Sequence, residues 1–177
     1  MVFISGVHGV GKSYFCNIVK DKLGISAYSA SQLISKEKNE LFAANKLIAD
    51  IEDNQVHLLS AIAKLRATGK EFILDGHFCL LDSEGKITRI SFDTFKELNP
   101  DAIVLLTEDA AVIKQRRLER DNVQINAEDI EDFQEEERIC AEYVSSELGV
   151  PLKISSGSDD IESVIKFIDS RRKQYGG

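Results

Sequence analysis

Gly6-Val7-His8-Gly9-Val10-Gly11-Lys12-Ser13 decides the fold, because it matches G-x-x-x-x-G-K-[ST] at every specified position. The glycines let the backbone bend until successive N–H groups point inward at phosphate oxygens. A helix opening at about Gly11 adds its positive N-terminal end to the same place. Lys12 supplies a compact cation for the outer phosphates, and the Ser13 hydroxyl is placed to ligate Mg²⁺. The flanks agree with this reading. Met1 to Ser5 is an apolar strand, and the helix carries Phe15, Ile18, Val19 and Leu23 on one face before Gly24 stops it. Lys20 and Lys22 fall in its last turn, where the helix dipole favours cations.

Working outward, short apolar strands alternate with helical patterns, which predicts one α/β domain over residues 1–177 with a mainly parallel sheet. A short strand is expected around Ile25 to Tyr28, then two or three helices over 31–68, with Leu58, Leu59, Ile62 and Leu65 as a stripe. A buried strand follows at Glu71 to Asp75. An irregular stretch from Gly76 to Ser91 holds a hairpin turn at Asp82-Ser83-Glu84-Gly85. Strands at Ala102 to Thr107 and Leu152 to Ser155 complete about five, and a helix starts near Asp109. A longer helix, Ala127 to Leu148, has Asn126 as its expected cap and the stripe Ile130, Phe133, Cys140, Ala141, Val144, Leu148. Asp159 and Glu162 form a box-like cap for a final helix with Ile161, Val164, Ile165 and Ile168 on one face.

Two further groups carry chemistry. Asp75 ends its strand as a carboxylate, a position from which it holds Mg²⁺ opposite Ser13, usually through water. Beside it, Gly76 is expected to admit a ligand close to the backbone, and His77 to face an acceptor. Arg116, Arg117 and Arg120 lie three and four residues apart on a helix and form a candidate clamp for a transferring phosphoryl group. The plainer alternative is a solvated face paired with Glu119 and Asp121. The residues expected to meet the nucleotide are Gly6, His8, Gly9, Val10, Gly11, Lys12, Ser13 and Tyr14, with His8 contributing backbone.

Composition sets outer bounds. Hydrophobic residues are 43% and charged residues 29%, ordinary for a soluble globular domain. The net charge of −8 argues against DNA binding, which recruits clustered Lys and Arg. No apolar run approaches the ~18 residues of a membrane span, and the start has no basic n-region, so neither membrane nor signal peptide is expected. Cys16, Cys79 and Cys140 have no metal-ligand spacing and read as buried, reduced thiols, which fits a cytoplasmic setting.

With these pieces in order, the chain resembles P-loop nucleoside and nucleotide kinases, most closely the archaeal-type adenylate kinase. The loop 6–13, Leu74-Asp75-Gly76-His77, the lead-in Glu97 to Val104, Arg116-Arg117 and the final Leu152-Lys153-Ile154 strand are similar to that family's pattern. The resemblance implies a three-layer α/β/α P-loop NTPase fold with a five-stranded parallel sheet, an acceptor-binding helical insert at about 30–65 and a short lid at about 116–128. It also implies that ATP, with Mg²⁺, gives its γ-phosphoryl to a nucleotide or other small-molecule acceptor. The sequence departs from the family at the acceptor, since its first arginine is Arg66. Lys36, Lys38 and Lys46 stand in without the bidentate fork.

A switch ATPase acting on a protein or RNA partner is the main competing class, and a binding module without turnover is another. A signalling GTPase fits less well, because Asn45-Lys46-Leu47-Ile48 lacks the aspartate of a guanine-reading segment.

Overall fold

The computed structural model describes residues 1–41, 51–82, 84–122, 124–156 and 160–175. The expectations for Lys46 and its neighbours Asn45, Leu47 and Ile48, for Ser83 and for the Asp159 cap lie outside the described residues.

The elements follow in the order β1 (Val2–Ser5), α1 (Lys12–Leu23), β2 (Ser26–Ser29), α2 (Ala30–Leu41), α3 (Ile51–Arg66) and β3 (Phe72–Asp75). Next come β4 (Cys79–Leu81), β5 (Ile87–Arg89), α4 (Phe92–Leu98), β6 (Ala102–Thr107), α5 (Ala110–Asp121), α6 (Ala127–Leu148), β7 (Leu152–Ser156) and α7 (Ile161–Tyr175). The main sheet has the order β2-β3-β1-β6-β7, with every pairing parallel. β4 and β5 form a separate antiparallel hairpin.

Central strands buried on both faces read as unbroken apolar runs, and β1 and β6 do so. Successive side chains point to opposite faces, so Val2 and Ile4 join one core and Phe3 the other. The first core is closed by Phe15, Cys16 and Val19 of α1 and by Val164, Ile165 and Ile168 of α7. The second is closed by Leu58 and Ile62 of α3, Phe95 and Leu98 of α4, and Cys140, Ala141 and Val144 of α6. This is the expected three-layer α/β/α fold.

Differences from expectation are local. Helix α4 fills Phe92–Leu98, between the expected irregular stretch and the strand at Ala102, where no element was expected. Its seven residues make about two turns, and only Thr94, Phe95 and Leu98 are buried. Asn126 occupies the N-cap of α6, but its side chain makes no capping hydrogen bond. Next to the β4–β5 hairpin, Asp82 Oδ1 accepts from the N–H groups of Glu84 at 2.8 Å and Lys86 at 2.9 Å. Cys79 and Cys140, far apart in sequence, bring their sulfurs to 3.6 Å in the second core. Among the described residues no helix is long and apolar enough to cross a membrane.

Candidate functional site

Parallel pairing aligns the carboxyl ends of β1, β3 and β6, and the loop after β1 rises from that edge into α1. Val7 and Val10 bury their side chains in the first core, which turns the loop's backbone toward the cavity. Gly6 and Gly9 hold positive φ, 146° and 89°. A Cβ at Gly6 would sit 2.5 Å from the Leu106 carbonyl oxygen, and one at Gly9 would sit 2.9 Å from Arg117 Cγ and Cδ. The loop is therefore pressed between β6 and α5, with no room for side chains at either glycine.

Lys12 is buried at the first turn of α1. Its ammonium donates to the carbonyls of Gly6 at 2.5 Å and Val7 at 3.4 Å, and lies 4.0 Å from Asp75 Oδ1. Burial pulls its pKa down, while the Asp75 and Glu137 carboxylates act against that. Asp75 moves the other way: burial raises its pKa and the Lys12 charge opposes the rise. Ser13 and Tyr14 are exposed on the next positions of α1 and line the same cavity.

His77 follows two residues after Asp75. Its Nε2 lies 3.5 Å from Lys12 Nζ, and its ring packs on His8 at 4.4 Å between centroids. Burial, then Lys12 and His8, push its pKa down to about 2, so the imidazole is neutral. Gly76 lines the same cavity and also serves the core. A Cβ there would meet the Phe3 ring at 2.8 Å, so the missing side chain makes room for core packing.

The three arginines separate in space. Arg116 donates to the Val10 carbonyl at 3.1 Å and to Glu108 at 3.2 Å, straddling the loop and the end of β6. Arg117 lays its aliphatic stem on Gly9 and pairs through Nε with Asp121 at 3.1 Å. Arg120 is exposed and also paired with Asp121. Arg116 and Arg120 line the cavity, whereas Arg117 supports the loop from behind. The Arg116 guanidinium thus reaches the loop, Arg117 and Arg120 are paired with Asp121, and Glu119 accepts from Gln115.

The cavity, of about 1170 Å³, runs from the loop past Asp75, Gly76 and His77 to the space between α2, α3 and the hairpin. That far end offers Ser29, Ser31, Ser35, Asn54, Gln55 and Lys38 as polar groups. Lys38 pairs with Asp53 at 3.3 Å. Lys36 lies elsewhere, exposed on α2 beside a small outer groove with Gln32 and Asn39. Arg66 donates to the carbonyls of Glu97, Leu98 and Asn99, so it ties α3 to the end of α4.

A family profile described as an AAA domain matches residues 5–134, from the end of β1 into α6. The chain belongs to that family. Among curated relatives, an adenylate kinase of Pyrococcus abyssi is 24% identical over 99% of this chain and 98% of its own length. An adenylate kinase of Methanopyrus kandleri is 30% identical over 117 residues, 63% of this chain and 61% of that protein. A sugar kinase from Janibacter sp. HTCC2649 superposes with a TM-score of 0.58 at 18% identity, covering 95% of this chain and 93% of that one. The resemblance to P-loop kinases drawn from the motifs agrees with all of these.

One residue behind the loop, beyond the matched 5–134, escaped the sequence reading. Glu137 of α6 is fully buried, and its Oε1 accepts from the N–H groups of Phe78 and Cys79 at 2.9 Å each. The Ser5 hydroxyl donates to its Oε2. Burial raises its pKa, opposed first by the Ser5 hydrogen bond. A signal was present: Glu137 falls inside the stripe Phe133, Cys140, Ala141, Val144, where a solvated carboxylate does not belong.

Proposed function

We propose that the chain is an ATP-dependent phosphotransferase that moves the γ-phosphoryl group to a nucleotide or other small-molecule acceptor. One observation carries the reading. A single cavity joins the phosphate loop with Lys12, the strand-end Asp75, two arginines of α5 and a polar recess under α2 and α3. The donor end collects cations where a transferring phosphoryl group spreads charge over its oxygens. The recess is the natural seat for the second substrate, so donor and acceptor meet beside Asp75 and His77.

The donor set fits Mg²⁺, since the Ser13 hydroxyl and the Asp75 carboxylate are hard oxygen ligands on one cavity wall. An ion held by Ser13 and Asp75 would neutralise phosphate charge. Lys12 supplies the fixed cation on the loop side, while Arg116 reaches the cavity from α5 and Arg120 lies further along the same wall. The relatives' names support a kinase, and the recess, rich in hydroxyls and amides, decides the acceptor.

The test is product formation from γ-labelled ATP with Mg²⁺ against nucleoside monophosphates, nucleosides and sugars, with Lys12→Ala in parallel. A phosphorylated acceptor that depends on Lys12 is the expected result. Free phosphate alone, whatever the acceptor, overturns the reading in favour of an ATPase that acts on a protein or RNA partner.

A further inference from the structure

The loop, the strand-end segment 75–77 and α6 meet at one buried carboxylate. Glu137 Oε2 holds Ser5, the residue from which the phosphate loop departs, and Oε1 holds the N–H groups of Phe78 and Cys79 directly after His77. The same Oε1 lies 3.8 Å from His77 Nδ1, an atom with no hydrogen-bond partner among the described residues. On the other side of the ring, Nε2 faces the Lys12 ammonium at 3.5 Å. An ammonium only donates, so the nitrogen it faces must accept. A neutral imidazole that accepts at Nε2 carries its proton at Nδ1, which faces Glu137.

We propose that Glu137 is a positioning residue of the phosphate site, holding His77 as the Nδ1–H tautomer so that its Nε2 lone pair steadies Lys12. The line Glu137–His77–Lys12 reaches from the middle of α6 to the cation of the loop. Glu137 touches no reacting atom and acts through His77 and the two backbone segments it binds. Its three hydrogen bonds set the carboxylate rigidly, so a small displacement there is passed on to the loop and to the 75–77 segment together. The competing arrangement is also defined. A hydrogen bond with the Gly6 backbone favours protonation of the ring, and a ring that donates to Gly6 from Nε2 is that alternative.

The tautomer is read directly by nitrogen-15 NMR of selectively labelled histidine, with His77→Asn used for assignment. The protein without substrates should show His77 as Nδ1–H. Glu137→Gln keeps the size and an acceptor for the Phe78 and Cys79 N–H groups but removes the charge, and should redistribute the ring toward Nε2–H. Ser5→Ala, which frees only Oε2, should leave the Nδ1–H form in place. If Glu137→Gln does not fold, Glu137→Asp, with its carboxylate drawn back from the ring, replaces it with the same expected shift. An Nε2–H ring in the unmodified protein overturns the proposal. So does an unchanged tautomer in the Glu137 variant, or an equal loss in Ser5→Ala.

The proposal's functional side rests on the phosphotransferase reading. There, Glu137→Gln should lower kcat by about tenfold or more, as expected for a small misplacement of a catalytic group, with KM for ATP little changed. The NMR arm needs no turnover, so failure of the tautomer assignment is separable from failure of the kinase reading.

Discussion

Gly9 carries two constraints at once, a φ of 89° and the Arg117 stem where a Cβ would go. Gly9→Ala must both strain the backbone, by about 1–3 kcal/mol, and push α5 away from the loop. We expect ATP affinity to fall by about tenfold or more, measured by calorimetry, since the strain falls on the groups that hold phosphate. Gly76→Ala provides the contrast. Its Cβ strikes the Phe3 ring inside the core, so the cost is overpacking, about 1–3 kcal/mol, read as a lower Tm. ATP affinity should change far less than in Gly9→Ala. Equal losses of affinity in the two variants would show that Gly76 meets the ligand as well as the core.

Helix α5 brings Arg116 and Arg117 to the loop, and its first turn depends on Asp109, whose side chain accepts from the Ala111 N–H at 2.7 Å. Asp109→Ala should cost about 1 kcal/mol, lowering Tm by about 2–4 °C for a chain of this size. It should also weaken ATP binding, because the arginines lose their footing. An unchanged Tm would mean that packing of Ala110 and Ile113 holds the helix without its cap. The elements that build the phosphate end were legible in the sequence, because each has a local signature: a motif, a strand-end carboxylate, a stripe with a cap. Helix α4 was not, since it is short and buries only three residues. Glu137 was hidden for another reason. Its environment is set by Ser5 and Phe78, both remote in sequence, and a glutamate beside Glu135 and Glu136 reads as solvated. The separate duties of Arg116 and Arg117 likewise depend on where the loop passes α5, which helical spacing alone does not give.

At the scale of the molecule, the buried ionisable groups set a response to acid. His77 is held down to about 2 in the folded protein against an ordinary value of 6.5. Between those values the unfolded chain binds a proton that the folded one refuses. The stability His77 contributes is therefore complete above about pH 6.5 and drains away as pH falls toward 2. Asp75 and Glu137, raised by burial, pull in the opposite sense as they take up protons. The informative quantity is the difference between the parent protein and His77→Asn. Going from pH 7 to 5, Tm of the parent should fall more steeply than that of the variant. Parallel slopes would mean that His77 titrates as it does in the unfolded chain.

The sheet order has one more consequence, in the time domain of synthesis. β1 carries the loop, yet its neighbours are β3 and β6, so Val2 pairs with Ile73 on one side and Ala102 on the other. A chain leaving the ribosome displays the whole motif as soon as Ser13 has emerged and still lacks both walls that hold it. Arg116, which binds the loop from the cavity side, and Arg117, which supports it from behind, arrive later still. A nascent chain therefore gains its grip on nucleotide only after α5 has emerged, and a fragment ending before β6 would carry the complete motif without the site.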